Sequence, residues 1–334
     1  MLIRTHKKGK NMLLTFIVPV YNTDTEKLER CISSIRQIHT DPFEIRVLII
    51  DDGSEKKTAD CCDRLTQTSD HILCIHQKNG GAGAARNTGI GAVPDGYIYF
   101  ADADDEVIPE AFRSITPGDE DIIITDISAD QGNTRELWKA LDTKPGCIDK
   151  DTVLSRMTQN GRINGPVGKI IKSRFLTGRG ICFDTDMTAG EDAVFLLRML
   201  ACNPSMTYVP VCTYRYFRSK DTAEMRLLKD PRRYIDSFGT YLDHLLDAID
   251  TEHADRSGRM LADTFSMFTR YVFEIAGTAR QNHMDAEVME KLYDLFERVA
   301  RLRPANMPLR TRIAFFLLKM KAWRLIALIR RIMA

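Results

Sequence analysis

Two carboxylates stand two residues apart, directly after a short apolar run. Residues 97–100 (Tyr-Ile-Tyr-Phe) are typical of a buried strand, and Asp102 and Asp104 follow it. Carboxylate oxygens are ligands that Mg²⁺ or Mn²⁺ accept, and a cation would relieve the repulsion between the two charges. Aspartates are also common in surface loops, so the spacing alone leaves an ordinary loop open.

A second polar group ends the strand predicted over 45–50. Asp51 and Asp52 precede Gly53 and Ser54. Their short acceptor side chains could bind the edge of a base or ribose, and the same residue types are also preferred in turns.

The glycine-rich segment 79–83 runs into a helix predicted over 84–92. It is not a dinucleotide-binding fingerprint, because Arg86 stands where the third glycine belongs, and it is not a Walker A motif either. Arg86, in the first turns of the helix, could pair with a phosphate or with a nearby carboxylate.

Two acids begin the helix predicted over 192–202. Negative charge is favoured at a helix N-terminus, so Glu191 and Asp192 could simply cap it. A functional role becomes the stronger interpretation only together with the other groups.

An aromatic and basic segment follows the strand predicted over 206–216. Alternation along an extended chain would place Tyr214, Tyr216 and Arg218 on one side. They either close over a pyrophosphate or form an exposed strand end.

The elements that must position these groups alternate between strand and helix. The predicted strands are 13–18, 45–50, 72–76 and 97–100, and the predicted helices are 26–38, 58–65 and 84–92. This order predicts an α/β fold with a mostly parallel central sheet and helices on both faces. Ligands bind at the carboxyl ends of such strands, where Asp51, Asp52, Asp102 and Asp104 stand.

The rest of the chain is predicted from the same periodicities. A second half-sheet is expected from 122–125 and 206–216, with a helix over 149–158. The carboxy-terminal part is predicted to be helical over 234–249, 258–279, 285–301 and 309–332. The predicted organisation is therefore a basic N-terminal extension (1–12), a catalytic domain (13–225) and a helical region (226–334).

Composition narrows the function classes. The 334 residues carry a net charge of +1, which argues against a nucleic-acid partner, and the eight cysteines form no CxxC pair. The longest apolar run has six residues, too few for a transmembrane helix. Residues 309–334 hold seven cations and no acid, but a single helix over them would scatter the charges around several sides. Peripheral membrane contact, a packing or dimerising helical region, and disorder stay open.

Five motifs in this order resemble a family 2 glycosyltransferase of the GT-A fold, of the bacterial cell-surface polysaccharide type. They are 18–22 (VPVYN), 51–54 (DDGS), 83–89 (GAARNTG), 102–105 (DADD) and 190–192 (GED). The resemblance covers 13 to about 220 and includes 169–176. It implies an inverting transfer from a nucleotide-sugar, expected to be a UDP-sugar, to a glycan or lipid-linked acceptor hydroxyl.

The resemblance also implies residue roles. Pro19, Tyr21, Asp52, Arg86 and Asp102 would bind the nucleotide-sugar; with them we group Tyr216 and Arg218. Asp104 and Asp102 would hold Mn²⁺ or Mg²⁺, and Asp192 would be the general base. The expected setting is the cytoplasm, including the inner face of the cell membrane, in polysaccharide biosynthesis of the cell envelope. A homodimer is left open, as are an inactive nucleotide-sugar-binding scaffold and a sugar nucleotidyltransferase.

Overall fold

A computed structural model describes most of the chain. The described residues are 12–39, 43–93, 95–132, 134–218, 231–249, 254–281, 286–302, 308–322, 325–326 and 328. The predicted extension 1–12 lies outside them apart from Met12. The predicted boundary between 225 and 226 also lies outside them and stays a prediction.

The chain forms two compact units, each assembled from separate stretches of sequence. The first consists of 1–150, 165–185 and 198–219. The second consists of 151–164, 186–197 and 220–334. Two internal segments thus join the carboxy-terminal helices, which the sequence did not indicate.

The described strands of the first unit form one sheet. They are β1 (Met12–Val20), β2 (Phe43–Asp51), β3 (Ile72–His76), β4 (Tyr97–Phe100), β5 (Glu106–Val107), β6 (Ile122–Gln131), β7 (Thr134–Trp138), β8 (Gly146–Ile148), β9 (Lys169–Lys172) and β10 (Met206–Phe217). Every predicted strand is present.

The helices follow the predicted order as well. They are α1 (Thr25–Arg36), α2 (Lys56–Thr66), α3 (Ala82–Ala92), α4 (Lys150–Asn160), α5 (Ser173–Thr177), α6 (Glu191–Ala201), α7 (Pro231–Ala248), α8 (Ala254–Gln281), α9 (Ala286–Ala300) and α10 (Leu309–Lys319). A 3₁₀ helix covers Pro109–Ser114. Among the described residues, no helix is long and apolar enough to cross a membrane.

The sheet combines a parallel half with a mixed half. Strands β3, β2, β1 and β4 are neighbours in that order and parallel. Strand β9 runs antiparallel between β4 and β6, and β6 is parallel to β10. The predicted second half-sheet is therefore continuous with the first, joined through β9, and the α/β prediction is confirmed.

Helices cover both faces of the parallel half. Phe16 of β1 shares an apolar cluster with Leu28 and Ile32 of α1. Its neighbour Ile17 points to the other face, where a Cβ added at Gly89 of α3 would lie 2.4 Å from the Ile17 Cγ2 atom. Because successive strand residues face opposite sides, the continuous apolar run of β1 packs under helices on each side.

The second unit has its own aromatic core. Phe268 of α8 packs against Tyr241 of α7, with ring centroids 5.5 Å apart. Phe315 of α10 lies between Phe265 and Phe296, at 5.1 and 5.2 Å. These contacts join α7, α8, α9 and α10 within that unit.

Helix α10 is shorter than predicted. The sequence predicted one helix over 309–332, but α10 ends at Lys319. Lys321 takes a left-handed φ of +50°, and the Ala322 N–H donates to the Leu317 carbonyl at 3.0 Å. This is a Schellman ending, which normally uses glycine, and no glycine or proline in the sequence signals it.

Candidate active site

The carboxyl ends of three neighbouring strands meet at one edge of the sheet. In the parallel registers Val20 of β1 pairs with Asp51 of β2, and Ile17 pairs with Phe100 of β4. The loops that carry Asp52 and the 102–105 turn therefore open at the same edge, as the strand pattern predicted.

The first two of these loops are bonded to each other. Asn22 takes a left-handed φ of +49°, and its N–H donates to the Ser54 Oγ at 3.0 Å. The Glu55 N–H in turn donates to the Asn22 Oδ1 at 2.7 Å. Pro19 is half-buried, while Tyr21 at the start of the loop is 55% exposed. An open aromatic ring on a fixed loop can stack against a planar ligand.

Asp52 is buried and held by the glycine-rich segment. Its Oδ1 accepts from the Gln77 Nε2 at 2.8 Å and the Gly80 N–H at 2.9 Å, and its Oδ2 accepts from the Gly81 N–H at 2.7 Å. The Thr88 hydroxyl donates to the Gln77 Oε1 at 2.6 Å and so fixes the orientation of that amide. A carboxylate can accept about four hydrogen bonds, so these three leave Oδ2 able to accept one more.

A charged cluster that the sequence did not single out lies behind Asp52. The His76 Nδ1 is 2.7 Å from the Asp51 Oδ2, and its Nε2 is 3.0 Å from the Asp63 Oδ1. The hydrogen bonds to Asp51, and next to Asp63, raise the pKa of His76 from 6.5 to about 9. Burial alone would raise the pKa of Asp51, but its bonds with Ser54 and His76 lower it overall. Asp51, Asp63 and His76 are far apart in the sequence, so no local pattern predicts this cluster.

Arg86 pairs with Asp102 at the carboxyl edge. Its Nη2 lies 2.9 Å from the Asp102 Oδ1, and the Arg86 side chain is 6% exposed against 37% for Asp102. The guanidinium also lies over the Phe183 ring, 5.3 Å from its centroid. The sequence left a phosphate and a carboxylate open as partners of Arg86, and in the structure the partner is the Asp102 carboxylate. Asp102 itself stays partly exposed to solvent.

The next two carboxylates are both destabilised as anions. Asp104 is exposed at the surface, yet the loss of hydration around its carboxyl group, and then the charge of Asp102, raise its pKa. The same two causes raise the pKa of Asp105 from 3.8 to about 8. The anionic forms of Asp104 and Asp105 are thus both disfavoured by the charge of Asp102, and a cation beside Asp102 and Asp104 would relieve that repulsion.

Asp105 is tied to strand β10 through Tyr214. The Tyr214 hydroxyl accepts from the Asp102 N–H at 3.0 Å and donates to the Asp105 Oδ2 at 2.8 Å. The Phe217 N–H donates to the Asp105 Oδ1 at 2.8 Å. Neither alternative left open by the sequence, a side chain over a pyrophosphate or an exposed strand end, holds for Tyr214, because its side chain is fully buried. Register irregularities in β10 before Tyr214 interrupt the simple alternation on which both alternatives depended.

Tyr216 and Arg218 lie beyond this buried part of β10. Tyr216 is half-buried, with its ring centroid 6.2 Å from that of Trp138. Arg218 is exposed, and its guanidinium lies over the same Trp138 ring at 4.6 Å. Trp138 of β7, which the sequence did not indicate, therefore supports both side chains.

Asp192 belongs to the second unit. It is the second residue of α6 and half-buried, and the helix begins with the Val194 N–H donating to the Gly190 carbonyl at 3.0 Å. Gly190 has a φ of +75°, which explains the glycine before the two acids. The expected convergence of Asp192 with Asp102 and Asp104 stays a prediction.

The donor set for a metal ion is small. Across the described residues, no group of three or more His, Cys, Asp or Glu side chains is arranged to hold one. Asp102 and Asp104 provide hard oxygen donors, and both side chains are at least partly exposed at the carboxyl edge. These two residues fit a divalent cation only if a ligand supplies the remaining oxygens.

Comparison with known proteins assigns part of the chain to a family. Residues 15–178 match the model described as Glycosyl transferase family 2. The chain is 28% identical over 212 residues to the putative glycosyltransferase EpsH of Bacillus subtilis (strain 168), which covers 61% of this chain. It is 26% identical over 221 residues, also 61% of this chain, to the succinoglycan biosynthesis protein ExoO of Rhizobium meliloti (strain 1021). The chain spans about 60% of the length of each of these relatives.

A solved structure shares the fold. The crystal structure of S. aureus TarS 1-349 in complex with UDP-GlcNAc superposes with a TM-score of 0.68 at 15% identity, covering 96% of this chain and 92% of that one. At this identity the likeness establishes the architecture, a GT-A fold followed by carboxy-terminal helices. The family match shows that residues 15–178 form a family 2 glycosyltransferase domain.

Proposed function

We propose that the protein is an inverting glycosyltransferase that moves a sugar from a UDP-sugar to a hydroxyl group of a glycan or a lipid-linked saccharide. The observation that carries the proposal is the arrangement at the carboxyl edge of the sheet. There, Arg86 pairs with Asp102 beside two further carboxyl groups, and the buried Asp52 lies in the neighbouring loop. The TarS structure with UDP-GlcNAc and the succinoglycan role of ExoO support this donor and acceptor class.

The nucleotide would bind at the first two loops. Tyr21 offers an exposed ring for stacking on the base, with Pro19 beside it. The remaining acceptor position on the Asp52 Oδ2 suits an N–H of the base, and the three bonds from the chain keep that oxygen in place. Arg86 would lie beside the diphosphate, held there by Asp102. Tyr216 and Arg218 would cover the diphosphate from β10.

Asp102 and Asp104 would hold Mn²⁺ or Mg²⁺ together with diphosphate oxygens. When bound, the cation would supply Lewis-acid stabilisation of the negative charge that grows on the leaving diphosphate. The chain's part is to keep both carboxylates at the strand end, which the bond from the Asp102 N–H to the Tyr214 hydroxyl does.

Asp192 would act as the general base. An acceptor hydroxyl is a poor nucleophile at neutral pH, so its proton must leave as it attacks. The acceptor oxygen forms a bond to the anomeric carbon while its proton passes to the Asp192 carboxylate. The bond from the anomeric carbon to the diphosphate oxygen breaks, and its electron pair leaves with UDP. One displacement from the opposite face inverts the anomeric configuration.

Donor binding is tested first. We expect UDP and UDP-sugars to raise the melting temperature, and Mn²⁺ to enlarge the shift, because a ligand that binds only the native state stabilises it. A panel of UDP-sugars incubated with candidate acceptors then reports transfer, and NMR of the product reports the anomeric configuration. No shift with any UDP compound would contradict the proposed donor class.

The base is tested with a matched pair of variants. Asp192→Asn and Glu191→Gln each remove one negative charge from the first turn of α6. We expect Asp192→Asn to lower the transfer rate by about 10²- to 10⁴-fold while UDP binding persists, and Glu191→Gln to stay close to the parent rate. Equal rates in the two variants would overturn the assignment. Persistent UDP binding without any transfer by the parent protein would instead favour the scaffold alternative.

A further inference from the structure

Helix α10 exposes large apolar side chains along a single line. Leu309, Ile313, Phe316 and Met320 are 70%, 51%, 61% and 63% exposed. At 100° per residue these four positions fall within a sector of about 60°. The opposite side of the helix is anchored, because Leu318 is fully buried and Phe315 packs between two aromatic rings of the second unit. We call the four exposed residues the α10 stripe.

Cations flank the stripe on both sides. Arg312 and Lys319 fall on one side of it and Arg310 on the other, and all three are exposed. Residues 309–334 contain no acidic residue, whereas 13–308 contain 46 acidic and 36 basic ones. A single helix to residue 332 would scatter the seven cations around several sides, but α10 carries only Arg310, Arg312 and Lys319. Ending it at Lys319 leaves an amphipathic surface with an apolar centre and a basic border.

From this surface we infer that α10 lies in the plane of an anionic lipid surface, with the stripe inserted among the lipids and the flanking cations against their headgroups. A helix of 11 residues is about 16 Å long, which suits lying in an interface. Basic residues gain affinity from anionic headgroups, and apolar ones gain it from burial below them. This position would bring the enzyme close to a lipid-linked acceptor, a consequence that rests on the proposed function.

A second copy of the chain fits this surface less well. Two copies related by a two-fold axis would bring identical basic borders together, which costs energy. Four side chains on one short helix also present far less than the roughly 1,200 Å² that a stable interface buries. Anionic lipid satisfies both the apolar stripe and its positive border.

The test is co-sedimentation of the full chain with vesicles, without donor or acceptor. We expect binding to vesicles that contain phosphatidylglycerol, weaker binding to phosphatidylcholine alone, and loss of binding as salt rises. Ile313→Gln with Phe316→Gln is expected to weaken binding about tenfold or more. Leu137→Gln, which changes a 52% exposed leucine of β7, is the control and should bind like the parent.

A second pair of variants tests the charges. Arg312→Gln with Lys319→Gln is expected to weaken binding to the anionic vesicles by about tenfold, with little effect on neutral ones. Arg113→Gln with Lys144→Gln removes the same charge from exposed positions of the first unit and should not. Circular dichroism confirms that each variant is folded.

Two results would overturn the inference. One is equal sedimentation of the parent and the Ile313 and Phe316 double variant, including no binding by either. The other is a concentration-dependent dimer that this double variant abolishes, which would assign the stripe to a second copy. Because the readout needs no transfer, UDP binding measured on the same samples separates failure of this inference from failure of the proposed function.

Discussion

At the scale of single residues, the carboxylate turn after β4 depends on one buried hydroxyl. The Tyr214 hydroxyl is bonded both to the backbone of Asp102 and to the side chain of Asp105. It therefore attaches to strand β10 the turn that contains the proposed metal-binding aspartates. Tyr214 acts through that turn, so we regard it as a positioning residue.

We predict that Tyr214→Phe weakens Mn²⁺-dependent UDP binding and lowers stability by about 1–3 kcal/mol, because it leaves buried polar groups without their partner. Tyr99→Phe is the matched control. It removes the hydroxyl of another fully buried tyrosine, which is hydrogen-bonded to the Thr213 hydroxyl at 2.8 Å. Urea unfolding should show a loss in both variants, whereas calorimetric titration with UDP should show weaker Mn²⁺-dependent binding only for Tyr214→Phe. Identical UDP affinities would contradict the positioning role.

His76 makes stability depend on pH. Its pKa is raised from 6.5 to about 9, so its stabilising effect is complete below about pH 6.5 and is lost as pH rises through 9. We expect the difference in unfolding free energy between the parent and His76→Gln to be largest near pH 6 and to shrink toward pH 9. Urea titrations across this range measure it. His71→Gln, at an exposed histidine of the same segment, serves as the control, and a pH-independent difference for His76→Gln would refute the prediction.

The sequence predicts site residues that lie at the ends of predicted strands or helices. It does not predict residues whose role depends on tertiary contacts with distant parts of the chain. Asp52, Arg86 and Asp102 follow strands or begin a helix, so their position could be predicted. Asp105 and His76 gain their importance from Tyr214 and Asp51, which lie 109 and 25 residues away. No local pattern carries that information.

At the scale of elements, the strands with continuous apolar runs were the most predictable. A strand buried on both faces must be apolar throughout, which is what residues 13–18 and 45–50 show. Strand β5 has only two residues, and β7 is mostly exposed, so neither has a pattern to detect. The end of α10 was missed because Lys321 adopts a conformation that glycine usually provides.

The close packing of α3 on β1 at Gly89 can be tested by substitution. A Cβ at position 89 would lie 2.4 Å from the Ile17 Cγ2 atom, inside van der Waals contact. We expect Gly89→Ala to destabilise the protein by about 1–3 kcal/mol despite the better helix propensity of alanine, because the helix must move off the strand. Gly91→Ala is the control in the same helix, where an added Cβ meets no atom within 4 Å. Equal stability of the two variants in urea would show that the contact is not limiting.

At the scale of the whole molecule, the chain consists of two compact units. Residues 151–164 and 186–197 belong with the carboxy-terminal helices, where the Asn164 Nδ2 donates to the Tyr241 hydroxyl at 3.3 Å and the Thr188 N–H donates to the Ser237 Oγ at 3.0 Å. These contacts span 77 and 49 residues, so composition along the chain could not reveal them. The general base that the family resemblance implies, Asp192, therefore belongs to a different unit from Asp102 and Asp104.

Two compact units should make heat unfolding depart from two-state behaviour, with a calorimetric enthalpy larger than the van't Hoff enthalpy. A matched pair of substitutions separates the units. Leu28 of α1 and Leu292 of α9 are both fully buried, one in each unit, and each change to alanine should cost about 2–5 kcal/mol. We expect Leu28→Ala and Leu292→Ala to shift different components of the calorimetric profile, and UDP to restore only the component that Leu28→Ala lowers. A single transition that both variants shift alike, with equal enthalpies, would mean that the two units unfold together.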